Sequence, residues 1–206
     1  MTAFNDGCIA IRRGHFGQRT IVVTGIGRSG TTAMIRSLYK MGLPKTGKLT
    51  AATNDDHDIG KAIVNRAGDL KERIDRRNAA HDVWGFKWHL LWQRHRELRM
   101  LRNPVLIVMS RDSVSIAKRA WHSDKSVPVT RWIEQVEDWQ RELYRFALRE
   151  AQMPVALVSF EKLVMKPATV LRFVSDFVSL PFGGVDEINY EDHRYVDGQH
   201  TARFEK

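Results

Sequence analysis

Residues 25–32, Gly-Ile-Gly-Arg-Ser-Gly-Thr-Thr, place three glycines, one cation and three hydroxyls within eight positions. Glycines permit tight turns and close backbone approach, and unpaired N–H groups at the start of a helix attract anions. Gly25 and Gly30 have the spacing of an ATP-binding phosphate loop, but Thr31 stands where its lysine would be and Thr32 fills the Ser/Thr position. The only cation inside the loop is Arg28. The pattern points to a phosphate site that is not an ordinary ATPase.

Other chemistry-bearing residues lie downstream. Lys87 and His89 sit in Lys-Trp-His-Leu, and His57 and Asp58 sit in Asn-Asp-Asp-His-Asp-Ile at 54–59. Arg111 ends an apolar run, and Ser115 and Arg119 follow it four residues apart, on one face of a predicted helix. Metal coordination is not expected. Cys8 is the single cysteine, which excludes a thiolate cage and an intramolecular disulfide, and His57 among its acidic neighbours on a loop makes no tetrahedral site.

Four apolar runs bounded by breakers must position these groups: residues 20–24 (TIVVT), 83–86 (VWGF), 105–109 (VLIVM) and 155–160 (VALVSF). Three lack polar alternation, as strands covered on both faces do. Helical spacing recurs over 33–41, over 60–78 through Ile63, Ala67, Leu70 and Ile74, over 132–146, and over 167–178. Strands alternating with helices predict an α/β, three-layer P-loop-type domain around a mainly parallel sheet of four to five strands. The whole chain, 1–206, reads as one domain, with an N-terminal extension over 1–18 and a peripheral tail over 182–206.

The chain carries 33 Lys+Arg against 24 Asp+Glu, a formal +9, and between residues 61 and 103 the balance is eleven against five. Such an excess concentrates anions near the surface. No apolar run approaches the length of a membrane span and the first residues lack a signal-peptide core, so a cytoplasmic protein is expected.

Four segments in order resemble the P-loop sulfotransferases, over about residues 20 to 180. Arg28-Ser-Gly-Thr-Thr32 is similar to their phosphosulfate loop, and Trp84-Gly-Phe-Lys87 to a segment common in bacterial members. The run from Val105 to Arg111-Asp112 resembles the strand whose arginine reaches the nucleotide 3′-phosphate, and Val158-Ser-Phe-Glu-Lys-Leu before Pro167 resembles a late family segment. The chain departs from the family where Ser113 replaces a usual proline, Arg119 a usual serine, and Trp88-His89 a usual Asp-Pro.

The resemblance implies transfer of a sulfuryl group from 3′-phosphoadenosine 5′-phosphosulfate (PAPS) to a hydroxyl or amine of a small molecule, sugar or lipid, with no metal required. It would place Arg28, Ser29, Gly30, Thr31 and Thr32 on the phosphosulfate. Lys87 would stand beside the transferring group and Arg111 at the 3′-phosphate; there Arg119, on one helix face with Ser115, is expected to take over the contact of the missing serine, with Ser115 as helper. For the base it leaves His89 and the His57/Asp58 pair open. The rival readings are a nucleotide or small-molecule kinase, which Thr31 disfavours, and a non-catalytic nucleotide- or nucleic-acid-binding domain. No recognition motif supports the latter, and no nucleic-acid partner is expected.

Overall fold

The computed structural model describes residues 3–12, 17–89 and 91–182. Four parallel strands form its centre: β3 (Arg19–Gly25), β4 (Val83–Lys87), β5 (Pro104–Ser110) and β6 (Val155–Ser159). They match the four apolar runs. A hairpin of β1 (Ala3–Asn5) and β2 (Cys8–Ala10) adds to β6 antiparallel, so the sheet order is β1-β2-β6-β5-β3-β4. Part of the segment read as an N-terminal extension is thus sheet edge. Its strands are three residues long, too short to show a period.

β3 is buried at every position because helices cover both faces. Ile21 and Val23 pack with Met34, Ile35 and Leu38 of α1 (Thr31–Lys40) and with α7 (Phe160–Met165) and α8 (Pro167–Val178). Val22 faces the other layer, where Ile63 of α2 (Gly60–Val64), Ile74 of α3 (Leu70–Ala80) and Val136 of α6 (Val129–Arg145) meet Trp84 and Phe86. The short α4 (His95–Leu98) and α5 (Ser113–Ser123) join this second layer through Leu98, Ile116 and Ala117. A side chain on either face of such a strand is apolar, which is why the run shows no alternation.

One expected helix divides. The spacing through Ile63, Ala67, Leu70 and Ile74 predicts a continuous helix over 60–78, but Arg66 takes a left-handed φ of 51° and the chain restarts at Leu70. The apolar stripe persists across the break because both pieces bury the same face. Residues 183–206, which hold nearly all of the expected tail, lie outside the described residues.

Candidate active site

The order of the strands sets the geometry. β3 pairs with β4 on one side and β5 on the other, and Lys87 lies opposite Val23 and Met109 opposite Gly25. The β3–α1 loop therefore emerges between the ends of two strands, one finishing in Lys87 and the other running on to Arg111. Ligands of open α/β sheets bind outside this edge.

The loop is held by backbone conformation. Gly30 caps α1 with a φ of 95°, and a Cβ there would stand 2.1 Å from the Phe160 ring, so no other residue fits. Arg28 also takes a positive φ, 73°, which costs a non-glycine residue energy and persists only where the surroundings enforce it. Its guanidinium donates to Ser123 Oγ at 2.9 Å, and its carbonyl accepts from Arg111 at 3.1 Å. Arg111 in turn lies over the Phe160 ring, 4.5 Å from its centroid. Ser29 is buried, and its hydroxyl has no partner among the described residues. A buried hydroxyl of this kind at a helix start is a ready donor to an anion, and it fits the phosphosulfate that the resemblance implies.

The end of β4 is built by distant parts of the chain. Gly85 is needed because a Cβ there would stand 2.6 Å from the Ile21 carbonyl, while Trp84 and Phe86 fill the core beside it. Lys87 is 3% exposed and donates to Thr32 Oγ1 at 3.2 Å and to the Thr53 carbonyl at 2.9 Å. Its ammonium lies 2.9 Å from Asp55 Oδ1. Burial lowers the Lys87 pKa, and the facing carboxylate acts against that shift. Burial pushes the Asp55 carboxyl up, but His89, Thr53 and Lys87 outweigh it and hold the pKa down at about 2.

Asp55 was not among the residues singled out from the sequence. It reaches the site because Asp55 bridges to Lys87 at the end of β4, while the segment that carries it is closed on itself by the bridge Leu49↔Asp56. The neighbouring Asp56 is fully buried and ion-paired with Arg77 of α3, and it accepts from the N–H groups of Asp58 and Ile59, both at 2.9 Å. The acid-rich run 54–58 was legible, but which of its carboxylates faces Lys87 depends on Arg77, twenty-odd residues away. His89 is half exposed, with Nδ1 4.0 Å from Asp55 Oδ1.

A cavity of about 650 Å³ joins the loop to this strand end. Arg28, Gly30, Thr31, Thr32, Lys87, His89 and Arg111 line it. His57 and Asp58 do not: His57 is exposed and bonded to Thr50 Oγ1 at 2.7 Å, and Asp58 accepts from the Lys48 N–H at 2.8 Å. Ser115 and Arg119 also lie outside its lining, on α5. There the Asp112 carboxylate caps the helix through the Ser115 N–H, and the Arg119 carbonyl accepts from Ser123 Oγ. Glu161 braces the β5 end by accepting from the Asp112 N–H at 2.9 Å.

Among the described residues no cluster of His, Cys, Asp or Glu could hold a metal, and no helix is long and apolar enough to cross a membrane. No family model matches the chain, and no curated protein matches it. Solved structures do. The sulfotransferase domain from the curacin biosynthetic pathway aligns at TM-score 0.52 and 16% identity, covering 80% of this chain and 75% of the other. The sulfotransferase domain of the Synechococcus PCC 7002 olefin synthase aligns at 0.55 and 13%, covering 87% and 84%. A Mycobacterium tuberculosis H37Rv sulfotransferase aligns at 0.51 and 16%, covering 79% and 68%. These structural neighbours show that the chain has the sulfotransferase fold.

Proposed function

We propose that the protein transfers a sulfuryl group from PAPS to a hydroxyl or amine of a small-molecule, sugar or lipid acceptor. The observation that carries this reading is the buried Lys87 ammonium against Thr32 at the mouth of the β3–α1 loop, inside a cavity lined by six cations and one carboxylate. Fixed positive charge in a partly closed site is what stabilises an anion whose charge shifts during transfer.

The loop N–H groups from Ser29 to Thr32, the Ser29 hydroxyl and Arg28 would hold the 5′-phosphosulfate. Arg111, at the β5 end, would hold the 3′-phosphate, with Ser115 and Arg119 on the adjacent helix. In the transfer an acceptor oxygen or nitrogen bonds to sulfur as the sulfur bond to the bridging oxygen of the 5′-phosphate breaks. Lys87 would neutralise the charge growing on that bridging oxygen. His89 is the better base: it lines the cavity, whereas Asp55, held at about 2, is a weak proton acceptor at neutral pH. Asp55 would instead anchor Lys87 and orient the imidazole.

The test is transfer of labelled sulfate from PAPS to a panel of phenols, sugars and amines in excess chelator, with Lys87→Met alongside. Turnover that persists in chelator and collapses in the variant supports the reading. Phosphoryl transfer from ATP–magnesium with no sulfuryl transfer would replace it with the kinase reading.

A further inference from the structure

Six cations line the cavity, and the donor reading uses only three of them, Arg28, Lys87 and Arg111. The other three, Arg36 and Lys40 of α1 and Lys45 just after it, line the same cavity. Arg36 donates to the Ala52 carbonyl at 3.0 Å, next to the lining residues Ala51 and Thr53, and Lys45 stands over the Tyr39 ring at 5.6 Å. None of the three has a carboxylate within ion-pair distance among the described residues, and the one acidic residue in the lining, Asp55, is taken by Lys87. Basic residues near a helix C-terminus are ordinary, and that accounts for Lys40 alone. It does not account for Arg36, whose charge reaches Lys87, or for Lys45 beyond the helix end.

Thr32, Arg36 and Lys40 recur every four residues, so they form one stripe along α1. With the helical rise, Arg36 and Lys40 stand about 6 and about 12 Å along the axis from Thr32, which itself touches Lys87. Uncompensated cations arranged along one wall of a concave site select anions by both attraction and steering. We infer that the acceptor is an anion: it carries a carboxylate or phosphate roughly 6–12 Å from the group that receives the sulfuryl, bound by Arg36, Lys40 and Lys45. This inference rests on the sulfuryl-transfer reading, and it names the acceptor class for that same site.

The test uses matched para-substituted phenols: 3-(4-hydroxyphenyl)propionate, its neutral amide, and 2-(4-hydroxyphenyl)ethyl phosphate. Each is titrated by calorimetry into protein saturated with adenosine 3′,5′-bisphosphate, and again into free protein. The propionate and the phosphate should bind at least ten-fold more tightly than the amide. Combined R36Q, K40Q and K45Q should remove that preference while leaving bisphosphate affinity unchanged, which also reports that the variant folds. Lys45→Gln alone, at an exposed position, should weaken the anionic probes by a few fold. Equal binding of anionic and neutral probes, no binding of any, or a preference that survives the triple variant would each overturn the inference. Failure of the bisphosphate to bind, with the anion preference intact in free protein, would instead count against the donor reading.

Discussion

The two sides of the β3–α1 loop are built on different principles. On the β5 side, the loop takes its shape from a few consecutive residues, with positive φ at Arg28 and Gly30, and α7 adds only two flanking contacts, the Phe160 ring against Gly30 and Glu161 on the Asp112 N–H. On the β4 side, Lys87, His89 and Asp55 are assembled by a segment laid across the strand end and fastened by the buried Arg77–Asp56 pair. A contiguous device tolerates distant change. An assembled one depends on its fastener, and the variants below separate the two.

Arg77→Met gives the largest expected effect on stability. It leaves the fully buried Asp56 carboxylate without its partner, and removing one member of such a pair costs ~3–5 kcal/mol. The loss should appear in chemical denaturation, and replacing both residues by apolar ones should recover much of it. Because the fastener lies on the β4 side, folded Arg77→Met should keep its bisphosphate affinity and lose turnover. An equal loss of both would erase the distinction between the two sides.

Lys87→Met should lower kcat by on the order of 10²–10³-fold with a smaller change in the PAPS KM, since its charge acts mainly as the transition state forms. His89→Gln should lower kcat by about 10²-fold or more, as expected of a lost base, whereas His57→Gln, exposed and outside the cavity, should be silent. A silent His89→Gln would remove the imidazole from the mechanism. On the β5 side, Arg28→Ala should weaken the bisphosphate roughly ten- to a hundred-fold, the worth of one charge-assisted contact, with little change in stability.

The smallest effect concerns acid. The Asp55 carboxyl titrates at about 2 in the folded chain against an ordinary 3.8, a depressed value. Its stabilisation, about 2 kcal/mol, is therefore fully present above about pH 4 and is lost as pH falls toward 2. Asp55→Asn should be less stable than the parent at neutral pH, and the two should converge near pH 2. A gap that stays constant with pH would show that Asp55 contributes by packing and not by charge.

This contrast also explains what the sequence revealed. The four parallel strands were legible because burial on both faces leaves apolar runs between breakers, and the loop because its glycines, hydroxyls and cation are consecutive. The β1–β2 hairpin was too short to carry a period, and the break at Arg66 was masked by an apolar stripe that continues on both sides of it. Lys87 and His89 were visible as a strand end. The run 54–58 pointed to the His57/Asp58 pair, and without Arg77 nothing in it distinguishes Asp55, which faces Lys87, from Asp56 and Asp58. Nothing in the sequence sets Arg36, Lys40 and Lys45 apart from the other cations; the fold brings them to one cavity.

The most direct test of the account is a calorimetric titration of the wild-type chain with adenosine 3′,5′-bisphosphate, adenosine 5′-phosphate and ATP–magnesium. The bisphosphate should bind at least ten-fold more tightly than the monophosphate, because an arginine at the β5 end holds the second phosphate. Arg111→Ala should abolish this preference, and Lys87→Met should leave it intact. Tighter binding of ATP–magnesium, or no preference for the bisphosphate, would contradict the claim that this loop and strand end form a phosphosulfate-nucleotide site.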